Sequence, residues 1–158
     1  MNAATLRLLL IGGLVVAVLF GGAKLVSAVR GIRNNNPGNI ELGDESWQGA
    51  VPIDQQTDDR FVQFISPEYG IRAMAKILDS YARRGIVTIA DIISTWAPPN
   101  ENDTSAYIRA VIADLFGVDA HTPIYRAQWP GLIAAIIHYE NGIQPYDSST
   151  LARGVALA

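Results

Sequence analysis

The 158-residue sequence contains no cysteine. That absence excludes a disulfide framework, a thiolate metal site and a cysteine nucleophile, and it leaves the redox compartment open. Only two histidines are present, His121 and His138. Neither stands at a ligand spacing with a second histidine or with carboxylates, so no metal and no cofactor is expected. The glycines at 38, 43 and 49 lack the strand, helix and lysine that make a phosphate loop, and no serine sits in a nucleophile elbow. A basic surplus is missing as well. With 12 Lys+Arg against 15 Asp+Glu the net charge is −3, which excludes a generic nucleic-acid binder.

The charge is unevenly placed. Residues 1–33 hold Arg7, Lys24, Arg30 and Arg33 and no acid, a contribution of +4 that leaves residues 34–158 at −7. Between Arg7 and Lys24 every residue is uncharged, and apolar character resumes at Leu25, Val26 and Val29. As a helix rising about 1.5 Å per residue, residues 8–29 cross a hydrocarbon core of roughly 30 Å if Lys24 snorkels to the headgroups. One transmembrane helix is therefore expected, with residues 1–33 as an anchor with a basic flank. Small residues at Gly13, Ala17 and Gly21 would let a second membrane helix approach closely. The same segment also fits an exported precursor, with Arg7 as its basic start and Val26-Ser27-Ala28 as a cleavage site near Ala28.

Residues 34–158 read as one domain, mainly α with a small β element. It opens on Asn34-Asn35-Asn36-Pro37-Gly38-Asn39-Ile40. Pro37 fixes φ and Gly38 can take positive φ, the recipe for a type II turn flanked by asparagine amides. Strand-like stretches at 47–51 and 60–65 could pair as a hairpin. The helical pattern starts with Ser66 as N-cap and Pro67 at the first helical position, repeats through Ile71, Met74, Ala75, Leu78 and Ala82, and stops at Gly85. A second helix runs from Thr88 to Trp96 before Pro98-Pro99, and a third is capped at Asp103 or Thr104 and stops at Gly117. A fourth covers 130–140 and ends at Asn141-Gly142; a short fifth follows Asp147.

With thiolates, metals and phosphate loops set aside, the chemistry falls to carboxylates. Glu140 shares a helix face with Ile133, Ile136 and Ile137. Burial of that face desolvates the carboxyl, and the negative end of the helix dipole acts in the same direction, so its pKa should rise. A carboxyl held protonated near neutral pH can donate to a glycosidic oxygen. Glu101, in a loop after two prolines, and Glu41 and Glu45, beside the asparagine turn, are the further candidates. Trp47, Trp96, Tyr139 and Tyr146 offer rings on which a sugar could stack.

Several motifs carry a family resemblance. They are Arg30-Gly31-Ile32-Arg33 running into the asparagine stretch, Trp47-Gln48-Gly49, Ser66-Pro67-Glu68-Tyr69-Gly70-Ile71-Arg72-Ala73, Trp96-Ala97-Pro98-Pro99 with Glu101-Asn102-Asp103-Thr104, and Tyr139-Glu140-Asn141-Gly142 with Pro145-Tyr146. Together they resemble phage and prophage virion proteins of the lytic-transglycosylase type, as found in tailless phages with an internal membrane. The resemblance spans about residues 30–152 and implies a lysozyme-like α+β fold. It also implies cleavage of the β-1,4 bond between N-acetylmuramic acid and N-acetylglucosamine, opening the wall as the genome passes in or out of the host. Its catalytic Glu closes an apolar helix, which here points to Glu140; without a permuted order, Glu41 or Glu45 takes that place. Asn34, Asn36, Asn39, Trp47, Tyr139 and Tyr146 would hold substrate. The implied partners are peptidoglycan, the lipid membrane through residues 8–29 and other virion membrane or capsid proteins, with no nucleic acid. The competing reading is a non-catalytic virion membrane protein that binds glycan or capsid through the same fold.

Overall fold

The structure is a computed structural model that describes residues 8–11, 14–17, 29–100 and 102–158. Among the described residues there are six α-helices: α1 (Arg30–Arg33), α2 (Pro67–Arg83), α3 (Ile89–Trp96), α4 (Thr104–Asp114), α5 (Trp129–Asn141) and α6 (Ser148–Ala156). The protein is mainly helical. Three of the helices start at a side-chain cap: Thr88 accepts from Asp91 N–H, Asp103 from Ala106 N–H and Asp147 from Thr150 N–H, so Asp103 and not Thr104 caps α4. Ser66 stands at the N-cap of α2 but caps no backbone group; its hydroxyl donates to Glu68 Oε2 at 2.8 Å.

The core forms where the apolar faces of α2, α3, α4 and α5 meet. Ile71, Met74, Leu78, Ile93, Val111, Leu132, Ile133, Ile136 and Ile137 are fully enclosed. Helix α6 closes over α2, and the fit is tight: a Cβ on Gly154 would collide with the Ile71 side chain. A smaller cluster of Val62, Phe64 and Ala73 sits under Trp47 and Tyr69.

The expected pairing of 47–51 with 60–65 is present only as one antiparallel bridge, Ala50 with Phe64, carried by Val51 N–H to Gln63 O at 2.8 Å and Ile65 N–H to Gly49 O at 2.9 Å. The opposite edge of 60–65 faces the asparagine loop. There Glu41 bridges Phe61, while Asn36 Nδ2 donates to Val62 O at 2.8 Å and Asn35 Nδ2 to Phe64 O at 2.9 Å, so side-chain amides stand in for a further strand. The turn at Pro37 also differs. Asn39 N–H closes it onto Asn36 O at 3.0 Å, but positive φ falls on Asn35 (51°) and Asn39 (50°) and not on Gly38, so it is no type II turn. Gly38 is needed for space: a Cβ there would lie 2.8 Å from Met74 Cγ and 3.1 Å from Trp96 Cζ2.

The transmembrane helix expected over 8–29 is not what the described part of that segment forms. Leu8–Ile11 (β1) and Leu14–Ala17 (β2) pair antiparallel, Leu8 opposite Ala17 and Ile11 opposite Leu14. Valine at 15 and 16 favours a pleated backbone, and the adjacent glycines 12 and 13 each cost a helix interior about 1 kcal/mol. Among the described residues no helix is long and apolar enough to cross a membrane. The remainder of that segment, with the cleavage position near Ala28, lies outside the described residues.

The folded body begins at α1, which an ion cluster fastens down. Arg30 meets Asp58 bidentately, Nε to Oδ2 and Nη2 to Oδ1 both at 2.7 Å, while Asn34 Nδ2 (2.7 Å) and the N–H groups of Arg60 (3.1 Å) and Phe61 (2.9 Å) also donate to this buried carboxylate. The Arg30 guanidinium holds the Asp58 carboxyl well below the usual carboxylate range, and burial only partly opposes it. A depressed carboxyl stabilises above its unfolded pKa of about 4 and loses that contribution as pH falls through the folded value. Asp58→Asn should therefore lower Tm by about 5–10 °C at pH 7. The gap to the native protein should narrow below about pH 4; a gap independent of pH in thermal melts would contradict the assignment.

Candidate functional site

The last turn of α5 carries the site. Residues 126–128 make a 3-10 turn that leads into α5, and Pro130 in its first turn suits a position that needs no N–H donor. Leu132, Ile133, Ile136 and Ile137 then anchor the helix in the core. At its other end Gly142 takes φ 68°, the left-handed exit that stops the helix just past Glu140 and Asn141.

Three neighbours aim donors at the Glu140 carboxylate. Tyr107 of α4 donates its hydroxyl to Oε1 at 2.8 Å, Trp96 at the end of α3 donates Nε1–H to Oε1 at 3.3 Å, and Asn39 of the asparagine loop donates Nδ2–H to Oε2 at 3.2 Å. A carboxylate offers about four lone-pair sites. Both on Oε1 are used, leaving Oε2 with one, which is where a proton would sit. The Glu140 pKa is raised from its ordinary value because burial penalises the charged form, and the bonds from Tyr107, Asn39 and Trp96 oppose that rise without cancelling it. Burial, helped by the Glu140 charge, likewise pushes the Tyr107 hydroxyl well above the usual range, so it stays a donor.

The next layer sets these donors. Asn39 sits in the left-handed region, which asparagine tolerates better than most residues. Asn141 Nδ2 donates to Pro37 O at 2.8 Å and to Ile137 O at 2.9 Å, pinning the asparagine loop to the end of α5. Its Oδ1 is buried without a hydrogen-bond partner among the described residues and faces the bare Cα of Gly31: a Cβ there would lie 2.5 Å from Asn141 Oδ1 and 2.7 Å from Asn39 Oδ1. Tyr139 stacks on Tyr107 with ring centroids 3.7 Å apart and 18° between planes, so one face of the half-buried Tyr139 ring is already covered.

The other expected site residues go elsewhere. Asn34 and Asn36 are 1% and 0% exposed and are spent on Asp58, Ile40 and Val62, so neither reaches a ligand; they build the loop that presents Asn39. Exposed Glu41 pairs with Arg60 at 2.7 Å. Glu45 and Trp47 line a groove on α2 that includes none of the residues around Glu140. Tyr146 packs on the core beside Glu68 with its hydroxyl buried and without a partner among the described residues, and burial pushes it up to about 12. Glu101 lies outside the described residues. Sequence reasoning missed Tyr107 and Gly31. On the sequence Tyr107 looks like one more apolar residue of α4, and only the pairing of α4 with α5 reveals its hydroxyl. Among the described residues no group of three His, Asp or Glu is placed to hold a metal ion.

Over 131 residues the chain is 40% identical to Protein P5 of Pseudoalteromonas phage PM2, a match covering 80% of each protein. The chain belongs to the family of that phage protein. No protein-family profile matches the sequence. Membership places this carboxylate site in a family of phage proteins.

A raised carboxyl stabilises fully below its unfolded pKa, and that contribution is lost as pH rises through the folded value. Glu140→Gln mimics the neutral form. Its Tm should match that of the native protein near pH 4 and equal or exceed it by a few degrees, about 2–5 °C, at pH 8. A variant that falls steadily below the native protein as pH rises would show that the native site prefers the ionised form.

Proposed function

We propose that the protein is a virion-associated peptidoglycan lytic enzyme of the lytic-transglycosylase type, with Glu140 as its acid and base. The observation that carries this reading is a single half-buried carboxyl, raised in pKa, with three donors fixing its geometry and one lone pair left over. Protonated Glu140 gives its proton to the glycosidic oxygen as the C1–O bond breaks, and the substrate's own acetamido oxygen supports the cationic C1. The carboxylate then takes the proton of the muramic 6-hydroxyl as that oxygen attacks C1, closing the anhydro ring. This route needs one carboxylate, whereas ordinary hydrolysis uses two at a defined separation. Tyr107, Trp96 and Asn39 keep the carboxylate in register between the two steps. Tyr139 offers its uncovered ring face to a sugar.

The apolar segment of residues 8–29 serves as the membrane attachment, in the virion internal membrane or the host inner membrane. An open two-stranded ribbon leaves backbone groups unpaired in hydrocarbon, so insertion takes the helical form. The body beyond it then works on the wall next to that membrane.

Mass spectrometry of peptidoglycan digested with the full-length protein tests the reading. Anhydro-muropeptides are expected, with a loss of at least about 100-fold in Glu140→Gln. Reducing ends that carry added water would convert the assignment to a muramidase. Glycan left intact by the native protein would favour a binding protein without catalysis.

A further inference from the structure

A second site lies on the outer face of α2. Between that helix and the loop of residues 45–48 runs an open groove of about 450 Å³, within the range of ligand pockets. Arg72, Lys76 and Arg83 line it from α2, with Trp47 and Tyr81 as aromatic walls and Glu45 on the loop. Spacings of four and seven residues put the three cations on one helix face. Residues 34–158 hold only eight Lys+Arg and carry a net charge of −7, so three of the eight in one groove is a local reversal of the body's sign.

We infer that this groove binds the acidic peptide stems of peptidoglycan through their carboxylates, an inference that rests on the wall-lytic reading of the Glu140 site. Among the described residues Arg72 and Arg83 have no carboxylate partner. Lys76 lies 4.0 Å from an Asp79 that Arg126 already holds at 2.8 Å. Two of these cations already engage peptide carbonyls: Arg72 Nε donates to Leu157 O at 3.1 Å and Lys76 Nζ to Ala158 O at 3.5 Å. The groove's donors thus already meet main-chain oxygens just past the end of α6. Guanidinium forks match carboxylates bidentately, and Glu45 opposite them complements an amino group, which a stem containing a diamino acid supplies. A long polyanion would meet the negative field of the rest of the body, whereas a short peptide feels chiefly the cations within about 10 Å. Holding the stem here would fix the sugar strand relative to the helix bundle without touching Glu140.

The test uses the full-length protein and the tetrapeptide L-alanine, D-glutamate, meso-diaminopimelate, D-alanine, titrated by calorimetry and by NMR shifts. Binding should perturb Trp47 and Arg83 resonances, and Kd should weaken about 10-fold or more in Arg72→Gln/Arg83→Gln and for the carboxyl-amidated peptide. Arg83→Gln alone, at an exposed side chain with no hydrogen bond to lose among the described residues, should weaken binding by at least about 3-fold should the double variant fail to fold. No binding, equal binding by either variant or by the amidated peptide, or tighter binding of an eight-residue thymidine oligonucleotide would each overturn the inference. Native protein that leaves stem-bearing peptidoglycan uncut would contradict the lytic reading, while the tetrapeptide titration decides the groove by itself.

Discussion

Burying the C-terminal turn of α5 brings two polar side chains, Glu140 and Asn141, to the edge of an aliphatic core, and both need partners there. The asparagine loop supplies them. Asn39 donates to the Glu140 carboxylate, and Pro37 O accepts from Asn141, bonds that join positions 101 and 104 residues apart. A buried polar group left unpaired costs about 1–3 kcal/mol, so the loop and the helix end are each stable only in the other's presence. The glycines follow from that docking. Gly31 faces the amide oxygens of Asn39 and Asn141, Gly38 lies on Met74 and Trp96, and a Cβ on Gly70 would collide with Asn35 O.

The loop in turn rests on a second polar knot. Asp58 gathers Arg30, Asn34 and two backbone N–H groups, tying α1 to the strand-like segment that follows it. Asn36 and Asn35 carry the connection onward to Val62 and Phe64. An asparagine-rich stretch that could serve as a ligand-binding surface is thus mostly internal scaffold, and Asn39 alone of the three expected ligands reaches the carboxylate. Tyr107 and Trp96 complete the enclosure from α4 and α3, so four separate parts of the chain converge on one carboxyl group.

The helices were legible because their signals are local. Thr88, Asp103 and Asp147 cap within three residues, Gly85, Gly117 and Gly142 leave in the left-handed conformation, and the apolar phase of α5 already puts Glu140 toward the core. What escaped is non-local. The roles of Asn34 and Asn36 depend on Asp58 and Val62, more than twenty residues away, and Tyr107 differs from its apolar neighbours only in a hydroxyl whose partner is on another helix. The expected hairpin shrinks to the one bridge of Ala50 with Phe64, and the far edge of 60–65 is taken by asparagine amides, which a pattern of alternating residues does not register. The apolar run of residues 8–29 is long enough for a helix, yet its described residues 8–11 and 14–17 pair as strands, which the valines at 15 and 16 favour.

The central claim is that Glu140 keeps its proton where an ordinary glutamate has lost it, while three donors hold it ready to release that proton. A carbon-13 NMR titration of the labelled glutamate carboxyls of the full-length protein, with Glu140 identified by its disappearance in Glu140→Gln, measures this directly. The account predicts a midpoint above the ordinary glutamate value of about 4.3. A midpoint at or below that value would mean that the donors from Tyr107, Asn39 and Trp96 outweigh desolvation, and it would contradict the role of Glu140 as an acid.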